Sequence, residues 1–247
     1  MKISIITVCY NSAATLEKTI LSVSTQTYKS IEYIIVDGNS KDNTLALIKK
    51  HEDKISKWIS EPDKGLYDAM NKGIGMASGD LIGILNSDDT FNSDMVVEHI
   101  ASFHLQNTID ASIGNIVQHQ ENGKIIRLYS SKYWNPEKLT IGFMPPHPSI
   151  FFKRKLFNKY GNYDLGFKIG ADYELITRFF LKNRISWKYS GITTTAMLVG
   201  GLSSSGSSSY KLITQEIQKA LTMSGIVFDP FKIRIRFLWK IIGFLKK

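Results

Sequence analysis

The chain has 247 residues, 43% of them hydrophobic, enough apolar mass for one large α/β domain with or without a small appendage, which excludes a disordered chain. Its single cysteine, Cys9, excludes an intramolecular disulfide framework and fits a reducing compartment. The net charge of +9 admits nucleic acid, an anionic membrane surface or an anionic substrate as partner, but between 228 and 247 six basic residues (Lys232, Arg234, Arg236, Lys240, Lys246, Lys247) face Asp229 alone. The charge gathers in this tail and leaves an unremarkable net +4 over the rest of the chain, which argues against a nucleic-acid groove on the domain.

From Lys2 the chain enters an apolar run over 3–8, too short for a signal-peptide core, which reads as a buried first strand with Cys9 in the core. Asn11 or Ser12 can cap a helix in which Leu16, Ile20 and Val23 repeat at helical spacing. Ile31 to Val36 is a second strand, ending at Asp37-Gly38-Asn39-Ser40, and Leu45 with Ile48 marks a helix. A short third strand is expected at Lys57 to Ser60, then a helical stripe of Leu66, Met70, Ile74 and Ala77, then a strand from Leu81 to Leu85 that stops at Asn86-Ser87-Asp88-Asp89. Near-continuous apolar strands between amphipathic helices require a buried, mostly parallel sheet. Ligands of such sheets bind beyond the strands' carboxyl ends, where Asn11, Asp37, Asp63 and Asp88 all fall.

The second half is less regular. Residues 110–117 and 124–129 read as a hairpin or two sheet strands, Met144 to Pro148 as a stiff turn before a strand over 149–152, and Ala171 to about Leu181 as a helix. Gly200 to Ser209 is expected to be a flexible loop. Residues 228–247 fit a surface helix with Lys232, Arg236, Lys240 and Lys247 on one side and Ile235, Leu238, Ile241, Ile242 and Leu245 on the other, broken by Arg234. Such a helix lies in an anionic membrane interface or packs its apolar face on the domain or a partner. No window supplies the roughly 20 apolar residues that span a bilayer.

Four elements carry chemistry. Asp88, on a loop after a strand, is a hard-oxygen ligand suited to Mg²⁺ or Mn²⁺, although Asp88 or Asp89 could equally cap a following helix. Asp37 can accept hydrogen bonds from a base or ribose, and a plain β-turn would use the same residues. Asp63 and Gly65 precede a helix that holds Asn71 two turns in, where an amide calls for a polar partner or for solvent. Asp172, in the first turn of its helix, is either a stabilising N-terminal charge or a carboxylate kept ionised for general-base work.

In this order the elements resemble the GT-A family of inverting glycosyltransferases known as family 2, over about Ile3 to Leu181. The resemblance implies an α/β, Rossmann-like, mostly parallel mixed sheet flanked by helices. It assigns the donor's base and ribose to Thr7, Val8, Asn11 and Asp37, further donor contacts to Asp63, Gly65, Asn71, Asn86, Ser87 and Asp88, the metal (Mg²⁺ or Mn²⁺) to Asp88, and the catalytic base to Asp172. Asn86 stands where the Asp-x-Asp-Asp motif has its first acid, and Ala171 where the Glu-Asp pair has Glu. The Gln-x-x-Arg-Trp motif of chain-extending members is missing, so one sugar is transferred per binding event. Pro146 to Phe152 and Ala171 to Glu174 are similar to members that build bacterial surface polysaccharides on a lipid carrier, with His147 able to touch the acceptor.

The expectation is therefore a catalytic domain over 1–215, its nucleotide-sugar half at 1–92 and acceptor half at 93–215, followed by a basic amphipathic tail at 216–247. Its partners would be a nucleotide-sugar, foremost a UDP-sugar, a lipid-linked saccharide and, through the tail, the cytoplasmic face of the inner membrane, with no nucleic acid. A nicotinamide-dependent oxidoreductase would need Gly-x-Gly-x-x-Gly after the first strand, where the chain has Cys9-Tyr10-Asn11-Ser12. A nucleotidyltransferase would need a Gly-rich loop there. The rival of another class is a non-catalytic nucleotide- or sugar-binding module of the same fold.

Overall fold

The computed structural model describes residues 1–120, 122–198 and 206–236. The chain divides into two units, one formed by residues 1–132, 146–163 and 186–199, the other by residues 133–145, 164–185 and 200–247.

The first unit is built on one mixed sheet. Its strands are β1 (Ile3–Cys9), β2 (Ile31–Asp37), β3 (Lys57–Ser60), β4 (Leu81–Ile84), β5 (Asp89–Phe91), β6 (Ala111–His119), β7 (Ile125–Tyr129), β8 (Ile150–Lys153) and β9 (Trp187–Leu198). They run in the order β3-β2-β1-β4-β8-β6-β9-β5, with β7 paired to β6. β1 lies parallel to both β2 and β4, and β2 parallel to β3. Every residue of β1 is buried, as a strand covered on both faces must be. Ile3, Ile5, Ile35 and Leu81 pack with Leu16 and Ile20 of α1 (Leu16–Ser24) in one core cluster. Burying each such side chain stabilises the fold by roughly 1.5–3 kcal/mol.

Helix α2 (Thr44–Lys50) follows β2, α3 (Leu66–Met76) follows β3, and α4 (Val96–Gln106) follows β5. Gly73 shows why a weak helix former sits inside α3: a Cβ there would come 2.4 Å from Ile6 Cγ2 and 3.4 Å from Val36 Cγ2. Gly73→Ala is expected to lower unfolding stability by about 1–2 kcal/mol, since a contact this short falls in the upper part of the overpacking range, about 2–3 kcal/mol, and outweighs roughly 1 kcal/mol of helix propensity gained. Urea denaturation checks this, and an unchanged or raised midpoint would contradict the close approach.

The amino-terminal edge of the parallel strands is closed by Glu32, 2% exposed. It accepts from Ser4 Oγ at 2.6 Å, Ser78 N at 2.7 Å and Lys57 Nζ at 2.9 Å. Burial alone would raise its pKa, but the bonds from Ser4, Ser78 and Lys57 outweigh it and hold the carboxyl well below the usual carboxylate range.

The second unit is helical among its described residues: a 3₁₀ segment (Pro136–Ile141), α6 (Ala171–Thr177) running on through a π-helical stretch (Arg178–Lys182), α7 (Gly206–Met223) and α8 (Pro230–Arg234). A fifth helix in chain order, α5 (Lys155–Tyr160), belongs to the first unit.

Three expectations are revised. The Asn86 to Asp89 loop leads into β5, and α4 starts only at Val96, so neither Asp88 nor Asp89 caps a helix. Of the loop expected over 200–209, residues 206–209 already belong to α7, while 200–205 lie outside the described residues. In the tail, Arg236 does not join a solvated basic face: it is 3% exposed, lies over the Tyr210 ring at 4.3 Å and donates to Thr214 Oγ1 at 2.7 Å. Ile233 is buried as well, and residues 237–247 lie outside the described residues. No helix among the described residues is long and apolar enough to cross a membrane.

Candidate active site

Because β1 to β4 are parallel neighbours, their carboxyl ends share one edge of the sheet, and the loops leaving them are tied together. At the end of β1, Asn11 adopts a left-handed backbone (φ 49°), which its short amide tolerates. Its N–H donates to Ser40 Oγ at 2.8 Å, and its Oδ1 accepts from Lys41 N at 2.8 Å. Ser12 Oγ meets Ser87 Oγ at 2.9 Å, joining the β1 loop to the β4 loop. Thr7 and Val8 are buried within β1, with Thr7 Oγ1 accepting from the Tyr33 hydroxyl, so their side chains belong to the sheet.

Asp37 is fully buried at the end of β2. It accepts from Ser40 N at 3.1 Å, from Ser40 Oγ and from Ser60 Oγ at 2.6 Å, linking β2 to the end of β3. The Cys9 thiol is pushed up by burial first and by the Asp37 charge second, so it stays protonated and donates to Asp37 Oδ1 at 3.7 Å. Asp63 Oδ1 accepts from Gly65 N at 2.8 Å. A Cβ on Gly38 would lie only 2.4 Å from Asp63 Oδ2, so glycine is what lets this carboxylate close on the β2 turn. Gly65, at φ 107°, occupies a conformation suited to glycine at the entry of α3.

The partner that the Asn71 amide requires is the backbone of Tyr163: Nδ2 donates to its carbonyl and Oδ1 accepts from its N–H, both at 2.9 Å. The Tyr163 ring stacks on Tyr67 at 5.6 Å, and its hydroxyl meets His147 Nε2 at 2.5 Å. His147 is buried, which pushes its pKa down to about 4 and keeps the imidazole neutral at pH 7. Tyr163 and Tyr67 escaped the sequence reading because the contact spans more than ninety residues; the mid-helix Asn71 signalled a partner without saying which.

At the end of β4, Asn86 Nδ2 donates to Asp89 Oδ2 at 3.3 Å. Asp89 is 1% exposed and pushed up to about 8, by burial first and the neighbouring Asp88 second. Asn86 Oδ1 and Asp89 Oδ1 are buried without a hydrogen-bond partner. Asp88 itself is half-buried on the shared edge, and among the described residues no hydrogen bond or ion pair engages its side chain. The described residues hold no group of three or more His, Cys, Asp or Glu able to cage a metal. One uncommitted carboxylate beside two unsatisfied oxygens fits a Mg²⁺ or Mn²⁺ held largely by a ligand's phosphates, and does not fit a site built from protein groups alone.

Asp172 lies in the second unit, in the first turn of α6, half-buried, with Oδ1 accepting from Tyr173 N at 2.7 Å. Ahead of it, Lys168, Ile169 and Gly170 all donate their N–H groups to Glu216 of α7. Sequence reasoning passed over Glu216. The available signal was an acid three residues after Ile213 and next to Ile217, on a stripe continued by Ala220 and Leu221.

Known proteins resemble this chain in sequence and in fold. An uncharacterized glycosyltransferase of Mycobacterium tuberculosis is 36% identical over 179 residues, covering 71% of this chain and 68% of its own length. The crystal structure of Staphylococcus aureus TarS 1–349 in complex with UDP-GlcNAc shares the fold at a TM-score of 0.71 and 18% identity, over 96% of this chain and 72% of that one. The mannosyltransferase PcManGT from Pyrobaculum calidifontis, in complex with GDP-Man and Mn²⁺, does so at 0.68 and 16%, over 95% and 68%. The profile of Glycosyl transferase family 2 matches residues 4–169. With two thirds of its length under that profile and a relative at this level of identity, the chain belongs to glycosyl transferase family 2 and has the GT-A fold.

Proposed function

We propose that the chain transfers a single sugar from a nucleotide-sugar, foremost a UDP-sugar, to an acceptor hydroxyl with inversion at the anomeric carbon. The observation that carries this reading is the uncommitted Asp88 carboxylate at the edge where the Asn11, Asp37, Asp63 and Ser87 loops are joined. The UDP-GlcNAc held by TarS and the GDP-Man and Mn²⁺ held by PcManGT support a nucleotide-sugar donor and a divalent cation here. Asp88 would hold Mg²⁺ or Mn²⁺, whose positive charge stabilises a departing nucleoside diphosphate. The β1 and β2 loops take the nucleoside. Asp172 accepts the proton of the acceptor hydroxyl as that oxygen attacks the face opposite the leaving group, and a single displacement of this kind inverts the configuration. A screen of UDP-, GDP- and dTDP-sugars for transfer or hydrolysis tests the reading, and binding of UDP without turnover of any of them would favour a non-catalytic binding module.

The acceptor in this reading is a lipid-linked saccharide of bacterial surface polysaccharide synthesis, met at the cytoplasmic face of the inner membrane. Since Ile233 and Arg236 are packed within the second unit, membrane contact falls to residues 237–247, where Leu238, Ile241, Ile242 and Leu245 accompany Lys240, Lys246 and Lys247. Deleting 237–247 is expected to abolish co-sedimentation with vesicles containing anionic lipid and to leave UDP binding unchanged. Undiminished co-sedimentation would count against a membrane role for the tail.

A further inference from the structure

The segment leading into α6 is gripped by one side chain from a remote part of the chain. Three consecutive N–H groups converge on the Glu216 carboxylate: Lys168 N at 2.7 Å from Oε1, and Ile169 N and Gly170 N at 3.0 and 2.7 Å from Oε2. Glu216 is 7% exposed, and among the described residues no Lys or Arg pairs with it, so these backbone dipoles are what compensate its buried charge. The fit is close, since a Cβ on Gly170 would lie 3.1 Å from Oε2 and 3.2 Å from Glu216 Cβ. On the far side of Asp172, the Tyr173 hydroxyl donates to the Leu139 carbonyl. Asp172 thus sits in a turn fixed on both sides, and the Glu216 bonds are the only ones of the two sets made by a charged group.

We infer that Glu216 is a positioning residue: by holding residues 168–170 it sets where the Asp172 carboxylate points, and so controls turnover without contributing to donor binding. The inference rests on the reading of Asp172 as the base. Its physical basis is that a reacting group displaced by about 1 Å loses on the order of 10²-fold in rate. Glu216→Gln keeps the shape and removes the charge. It leaves one acceptor oxygen and turns an NH₂ toward groups that are themselves donors.

The test compares Glu216→Gln, Gly170→Ala and Asp172→Asn, and each of the first two combined with the third. It measures kcat at saturating donor and acceptor, UDP affinity by calorimetry and the melting midpoint, with kinetics run below every midpoint. The expected result is a kcat about 10²-fold lower for Glu216→Gln and roughly 10-fold lower for Gly170→Ala, with UDP affinity within about twofold of the parent. In the Asp172→Asn background Glu216→Gln should cost less than about threefold more, because residues that act as a unit are non-additive. A merely structural role would lower the midpoint and leave kcat per folded molecule unchanged. The inference is overturned if Glu216→Gln turns over within about twofold of the parent, or if its loss multiplies in full onto Asp172→Asn. The base reading fails separately, and visibly, if Asp172→Asn alone keeps parental turnover. If Glu216→Gln does not fold, Gly170→Ala carries the same comparison.

Discussion

Asp172→Asn is expected to lower kcat by about 10² to 10⁴-fold while UDP affinity stays at the parental value. Asparagine matches aspartate in shape, and its Oδ1 can still accept from Tyr173 N, so the first turn of α6 should keep its geometry. What the amide lacks is an oxygen able to take a proton at neutral pH. A base acts only as the acceptor oxygen begins to bond, so the loss should appear in kcat and in kcat/KM alike, with the donor KM unchanged. Steady-state kinetics with varied donor and acceptor, together with calorimetry of UDP, check the prediction. Turnover near the parental rate would remove Asp172 from the chemistry.

Asp88→Ala is expected to cost a comparable amount by another route. A divalent cation at a leaving diphosphate is worth several kcal/mol of transition-state charge, and about 4 kcal/mol corresponds to roughly 10³-fold in rate. No His, Cys, Asp or Glu cluster stands by to replace Asp88 among the described residues, and Asp89 is buried at the start of β5. EDTA should therefore reproduce the loss in the parent enzyme, and Mn²⁺ or Mg²⁺ should restore it. In calorimetry, UDP uptake by the parent should depend on Mn²⁺ and that of Asp88→Ala should not. Full activity in EDTA would overturn metal dependence whatever the variant does.

The fold was largely legible because β1, β2 and β4 are short apolar runs that stop at polar loop residues, a pattern that a doubly covered parallel sheet imposes on its sequence. β5 was not legible: three residues that include an acid carry no periodicity, and Asp89 is drawn into the sheet by pairing with Met197 of β9. β9 itself, with Thr193, Thr194 and Thr195 at its centre, lacks the apolar alternation that marks a strand. At the candidate site, position along the chain showed which polar residues follow strands, but not their partners. Nothing local says that Ser12 meets Ser87, that Asp63 closes on Gly38, or that Asn71 grips Tyr163. The tail misled for a related reason: helical periodicity assigned Arg236 to solvent, whereas stacking on Tyr210 and a bond to Thr214 draw it inward. Such contacts depend on which segments the fold brings together.

The hydrogen bonds among the strand-end loops have a consequence for how a ligand is received. Ser40 is shared between Asn11 and Asp37, and Asp37 also holds Ser60, so three loops are tied together without a ligand, and in the proposed donor site they would need little further ordering. Little chain entropy is then left to lose on association, and more of each contact is retained as affinity. The same stitching makes these loops a poor place for divergence, because altering one of them disturbs its neighbours. Selection for a different sugar or acceptor would act more freely on segments outside this seam.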